Sequence, residues 1–291
     1  MNHFADRLIE SVADAGTPLC VGIDPRWDSL PRQVRSRYED SPAGKAQAFT
    51  EFGIRILDLV AGQVAIVKVQ SAFFESCGPA GFESQLKILN HARQLGLLTI
   101  LDAKRGDIAS TASAYADAAF DIWKADALTV NPYLGQDAVE PFIAKALSRQ
   151  AGIFVLVRTS NPGASLFQDL VCSDEPLFMH VGRAVQGWND GVWGDSGYGA
   201  IGAVVGATNI AELRALRTQF PKLWFLVPGF GAQGGSANDV AASFNADGFG
   251  AIVNSSRGIT FPFHPDDPHW EVAVTNALAA AIAAINAVRL A

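Results

Sequence analysis

The chain of 291 residues is 49% hydrophobic and 18% charged with a net charge of −7, a soluble globular balance with length for a large core. No Lys/Arg-rich block occurs, which argues against a nucleic-acid surface, and the most apolar stretch, 277–285, is too short to span a bilayer. Three cysteines, Cys20, Cys77 and Cys172, are odd in number and lack CxxC spacing, so they read as buried, reduced thiols of an intracellular protein without a metal knot.

Phe4, Leu8, Ile9 and Val12 open the chain at helical spacing, and Gly16 ends that helix. Asp6, Arg7, Glu10 and Asp14 among them exclude a signal-peptide core. LCVGID at 19–24 is the first buried strand, with Asp24 at its end. A polar loop with room for a short helix covers 25–44, and a helical period covers 46–61. VAIVKV at 64–69 is the second strand, interrupted by Lys68. A helix within 81–94 leads to the third strand, LLTIL at 97–101.

The stretch that follows, Asp102-Ala103-Lys104-Arg105-Gly106-Asp107, places three alternating charges where a strand ends and a helix begins. On an extended chain Asp102 and Lys104 share a face. Ile108, Thr111, Ala112, Tyr115, Ala119 and Ile122 then follow at helical spacing. Taken singly, Asp107 reads as a helix N-cap, and Asp102 with Lys104 as an ion pair. As a row at the tip of an apolar strand, they read as function, because buried charge is costly unless paired.

The alternation continues with strands at 127–130, 153–157, 201–205, 223–227 and 251–254. Helices fall near 137–147, 177–185, 210–216 and 237–244, and a last one runs to about 288. Eight apolar strands alternating with helices predict a single-domain α/β chain, a closed (β/α)8 barrel over residues 1–291. The Gly- and Trp-rich segment 187–199 reads as an insertion before strand six.

In such a barrel the site forms at the C-terminal ends of the strands. Asp24, Lys68, Asp102 and Lys104 all lie at such ends. Pro228-Gly229-Phe230-Gly231-Ala232-Gln233-Gly234-Gly235 after strand seven offers backbone amides, and Arg257 after strand eight offers a cation. Loops seven and eight are the common phosphate site of these barrels, so a phosphorylated substrate is expected. His264, Asp266, Asp267 and His269 carry ligand-type side chains without metal-site spacing and read as a solvated loop. His3, His91 and His180 read as helical and solvent-facing.

The run Asp102-Ala103-Lys104-Arg105-Gly106-Asp107-Ile108 with Thr111 resembles the signature of the orotidine 5'-phosphate decarboxylases, in their longer, type 2 subfamily. The likeness extends through Val21-Gly22-Ile23-Asp24-Pro25, Val67-Lys68 and Thr159-Ser160-Asn161-Pro162-Gly163 to Pro228-Gly229, Gln233 and Arg257. It implies a cytoplasmic, dimeric (β/α)8 lyase of pyrimidine biosynthesis. It implies in turn conversion of orotidine 5'-monophosphate to UMP and CO2 with no cofactor and no metal. By the matched motif, Lys104 donates the proton to the carbon that loses CO2, Asp102 sits by the leaving carboxylate, and Lys68 completes the charge row. Asp107 and Thr111 reach the neighbouring subunit's site. Asp24 resembles the ribose-hydroxyl ligand, Ser160 the base-contacting serine, and Gln233 and Arg257 the phosphate ligands.

Three rival readings remain at this stage. A metal-dependent sugar-phosphate decarboxylase or aldolase would need carboxylate ligands for Mg2+. A non-catalytic phosphosugar-binding protein would need Gln233 and Arg257 but not the Lys–Asp row. Schiff-base chemistry would need an unprotonated lysine, against which the flanking carboxylates argue.

Overall fold

The computed structural model describes residues 3–231 and 236–290. Eight parallel strands close into a barrel: β1 (Leu19–Ile23), β2 (Ile66–Gln70), β3 (Leu98–Arg105), β4 (Ala127–Val130), β5 (Gly152–Arg158), β6 (Ile201–Val205), β7 (Phe225–Pro228) and β8 (Ala251–Ser255). Going round, the order is β1-β8-β7-β6-β5-β4-β3-β2. Helices connect the strands, so each strand is covered outside as well as inside. Val21, Val67, Leu101, Leu128, Val155 and Val253 join the outer core beneath those helices.

The interior is filled by the alternate positions. Cys20, Ile66, Ile100, Phe154, Trp224 and Ile252 form one apolar cluster with Phe4, Ala5, Leu8 and Val12 of the opening helix Phe4–Ala15. That helix therefore closes the N-terminal end of the barrel. Phe4 meets Phe154 edge to face at 6.2 Å, and a Cβ on Gly152 would lie 2.3 Å from the Phe4 ring.

The 187–199 segment belongs to the same end. The buried amide of Asn189 donates to the carbonyls of Val185 and Ile201 and accepts the Ile201 N–H. Asp6 accepts the N–H groups of Asp195 and Ser196, and the His3 ring pairs with the Val192 carbonyl. The insertion thus straps the opening helix to the barrel. His3 caps that helix instead of facing solvent.

Other expectations need correction. Cys172 is exposed, not buried, in a two-stranded hairpin (Val171–Cys172 with Glu175–Pro176). Cys20 and Cys77 are buried. The helix after β3 starts at Ala109 with Ile108 at its N-cap, so Asp107 does not cap it. Among the described residues no helix is long and apolar enough to cross a membrane.

Candidate active site

A cavity of about 510 Å3 opens at the C-terminal end of the strands. Its floor follows from strand periodicity. Positions that face the interior are apolar near the closed end and polar near the mouth: Cys20, then Asp24; Ile66, then Lys68 and Gln70; Ile100, then Asp102; Ala127, then Thr129; Ile252, then Asn254 and Ser256. On β2, β3, β4 and β8 one two-residue step therefore passes from core to site, and on β1 two such steps do. Gly22 lies on this path on β1. A Cβ there would come within 1.9 Å of Ser256 Oγ, so only glycine leaves room for the β8 end.

Asp102 is the hub. Lys68 Nζ and Gln70 Nε2 donate to its Oδ2 at 2.7 and 3.0 Å. Lys104 Nζ and Thr129 Oγ donate to its Oδ1 at 2.6 and 2.9 Å. Four donors fill the acceptor capacity of one carboxylate. Asp24 lies 3.8 Å from Lys68 Nζ. Burial alone would push the Asp102 carboxyl up, but the ammonium groups of Lys68 and Lys104 outweigh it and hold the carboxyl well below its usual range. Burial would likewise lower Lys68, yet Asp102 and Asp24 hold its ammonium above the ordinary lysine value. Beneath them, burial pushes the Cys20 thiol up to about 12, so it stays protonated.

Lys104 does not sit on a regular strand. Its φ is +47°, a left-handed conformation that costs a non-glycine residue about 1–3 kcal/mol. The β3–β4 register shifts there. Asp102 and Lys104 thus meet through a bulge, not through the simple alternation expected of an extended chain. The Lys104 side chain is 46% exposed, against 5% for Lys68, and it is the ammonium that faces the cavity's open space.

The opposite wall carries Pro228, Gly229, Phe230 and Arg257. Gly229 and Gly231 have φ of +100° and +81°, where side chains are strained, so this turn requires its glycines. Arg257 opens the short helix Arg257–Thr260 and makes no ion pair with the described residues. Gln233 lies outside the described residues.

After β5 the chain is held by Arg158, which pairs with Glu212 at 2.7 Å and Asp169 at 3.1 Å. Gln168 accepts the Thr159 N–H and donates to Thr159 Oγ, which itself donates to Asn161. The Thr159 hydroxyl proton is thereby committed to Asn161. Ser160, also at the cavity, makes no side-chain hydrogen bond to the described residues. Gly206 makes room for it, since a Cβ there would lie 2.9 Å from the Ser160 Cβ.

Asp24, Lys68, Asp102, Lys104, Ser160 and Arg257 all line this one cavity; Asp107 and Thr111 do not. Asp107 is half-buried and Thr111 exposed, on the rim outside it, with Asp107 accepting the Ile108 N–H. Gln70, Thr129, Asn254, Ser256, Arg26 and Gln168 line the cavity and escaped the sequence reading. For the first four the signal was present: each continues the two-residue step of an interior-facing row. Among the described residues no three His, Cys, Asp or Glu side chains converge in a metal-binding group.

A family model described as the orotidine 5'-phosphate decarboxylase / HUMPS family matches residues 17–265. The chain is 46% identical over 289 residues to the orotidine 5'-phosphate decarboxylase of Rhodopirellula baltica, covering 94% of this chain and 96% of that one. It is 38% identical over 277 residues to that of Caldicellulosiruptor saccharolyticus, covering 90% and 91%. The solved structure of the Leishmania donovani OMP decarboxylase superposes with a TM-score of 0.80 at 33% identity, covering 99% of each chain.

Proposed function

Because the chain belongs to the orotidine 5'-phosphate decarboxylase / HUMPS family, we propose that its cavity carries out that decarboxylation: orotidine 5'-monophosphate loses CO2 and becomes UMP, a step of pyrimidine biosynthesis. The observation that carries this reading is the Lys68–Asp102–Lys104 row, with Lys68 and Asp102 buried and Lys104 open to the cavity, facing Arg257 across it. Breaking the ring-carbon–carboxylate bond leaves its electron pair on a carbon with no adjacent electron sink. A fixed ammonium beside that carbon stabilises the charge as it develops and then supplies the proton. Lys104, whose ammonium is held at Asp102 but open to the cavity, fits that role. Its amine regains a proton from solvent in the next cycle.

Other roles follow from what each group has left to offer. Asp24 Oδ1 and Asn254 Oδ1 are buried and accept no hydrogen bond from the described residues, which suits them to hydroxyl or amide donors of a nucleotide. Ser160 keeps a hydroxyl proton for the base while Thr159 donates its own to Asn161. Arg257 is the cation for the phosphate. Phosphate binding far from the reacting carbon can then favour the transition state.

We further read the enzyme as a homodimer with shared sites. Asp107 and Thr111 stand outside the cavity with exposed Ile108 between them in sequence, and the loop after β4, which meets Gly106 at Asn131, exposes Tyr133 and Leu134, apolar side chains that a second copy would cover. The site draws on strands from both ends of the chain, which supports one functional domain across 1–291. A water-soluble nucleotide substrate suits a cytoplasmic location.

The test is an ultraviolet assay of the purified protein with orotidine 5'-monophosphate, with and without chelator. Conversion to UMP unaffected by chelator is the expected result. Chelator-sensitive turnover would instead favour the metal-dependent sugar-phosphate reading.

A further inference from the structure

We propose that Thr129 is a positioning residue, whose one hydroxyl ties the Asp102 carboxylate and the Lys104 backbone into a single geometry and so aims the Lys104 ammonium. The inference rests on the reading of Lys104 as proton donor. It starts from the register of two strands. Leu101 pairs with Leu128, and Arg105 pairs with Val130. Between these pairs β3 holds three residues, 102–104, where β4 holds Thr129 alone. The extra residues cannot all stay on the ladder, and Lys104 turns left-handed at φ +47°.

Its N–H then needs a partner, and Thr129 Oγ accepts it at 2.9 Å. The hydroxyl proton goes to Asp102 Oδ1 at 2.9 Å, the same oxygen that accepts the Lys104 ammonium at 2.6 Å. The circuit is closed: Lys104 is held at its amide through Thr129 and at its ammonium through Asp102. Hydrogen bonds in such a ring polarise one another. Burial does not fix the Lys104 side chain, which is 46% exposed; the circuit does. Thr129 is 1% exposed, so water has no free access to replace its hydroxyl. Strand position alone would be served by valine, which is the same shape and also β-branched.

The test compares wild type, Thr129→Val and Thr129→Ser, with turnover counted per UMP-binding site so that unfolded protein drops out. Removing the hydroxyl should lower kcat about ten- to hundredfold through misplacement of the ammonium. KM and the affinity for UMP, set by the phosphate and ribose contacts, should stay within about threefold, and Thr129→Ser should keep kcat within about threefold. Thr129→Ala is the second variant, judged by the same criteria. A Thr129→Val kcat within threefold of wild type, or a loss that serine does not restore, overturns the proposal. Failure of both Val and Ala variants to fold also overturns it, by making the hydroxyl a requirement of the fold. If wild type itself lacked decarboxylase activity, the functional reading would fall and this inference with it; an active wild type with an equally active valine variant would sink this inference alone.

Discussion

At the scale of residues, the site is a set of charges whose cost is met by pairing. Asp102 carries the clearest consequence. Removing one partner of a buried ion pair leaves the other charge uncompensated, at a cost of about 3–5 kcal/mol. Asp102→Asn should therefore destabilise the protein by about that much in denaturant unfolding at neutral pH, since Lys68 keeps only Asp24 at 3.8 Å. The pH dependence has a definite sign. The folded Asp102 carboxyl lies below its ordinary value of 3.8. Its stabilisation is therefore present above that value and lost as pH falls toward the lower folded one. The gap between wild type and Asp102→Asn should narrow below about pH 4; a gap that widens in acid would contradict the pairing. Lys68 works at the other end. Its folded value lies above 10.5, so its contribution persists through neutral pH and fades only in strong alkali. Arg257 belongs to substrate recognition instead. Arg257→Ala should lower kcat/KM by about one to two decades, the worth of a charge-assisted contact of about 1.5–3 kcal/mol. Added guanidinium should restore part of it, and an unchanged kcat/KM would remove Arg257 from the phosphate. These charged residues were legible in the sequence because they interrupt apolar strands. Thr129 and Gln70 share the interior-facing step of their strands but carry no charge to mark them, so the step alone does not single them out until their hydrogen bonds to Asp102 are known.

At the scale of elements, what is legible follows the hydrophobic period. The eight strands stand out as apolar runs because both their faces are covered. The opening helix stands out because only one of its faces is. The β3 bulge left no such trace. DAKR reads as a continuing strand, and the left-handed turn at Lys104 is imposed by the pairing of β3 with β4 rather than by any glycine. The hairpin around Cys172 is equally silent, being too short and too exposed for periodicity to report. The insertion at 187–199 is visible as an oddity of composition, but its task depends on a contact with residues nearly 190 positions earlier in the chain. Asn189 makes that task testable. It is fully buried and ties Val185 and Ile201 together through three hydrogen bonds. Asn189→Ala should cost about 2–4 kcal/mol, because it strands buried backbone groups as well as losing the bonds. It lies at the closed end of the barrel, so kcat and KM at 25 °C should not change. A variant of wild-type stability would show that the strap is dispensable.

At the scale of the whole molecule, the rim beside the cavity holds the remaining argument. Lys104 lines the cavity, whereas Asp107 stands outside it, three residues on and past Gly106. Asp107 is followed by Ile108, 56% exposed, and the loop after β4, which meets Gly106 at Asn131, exposes Tyr133 at 80% and Leu134 at 49%. A two-fold dimer through this face would bury those side chains and carry each Asp107 toward its partner's Lys104. Lys104→Ala and Asp107→Ala homodimers should then both be nearly inactive. Exchange of subunits between them produces a mixed dimer with one doubly damaged site and one intact site. Random reassortment of equal amounts puts about half the dimers in the mixed form, so activity should return to roughly a quarter of wild type, given closed C2 pairing. If Asp107 served its own chain, each site of the mixed dimer would carry one lesion and no activity would return. A mixture no more active than its parents, with exchange verified by native mass spectrometry, would therefore confine each site to a single chain and leave the apolar rim without this explanation.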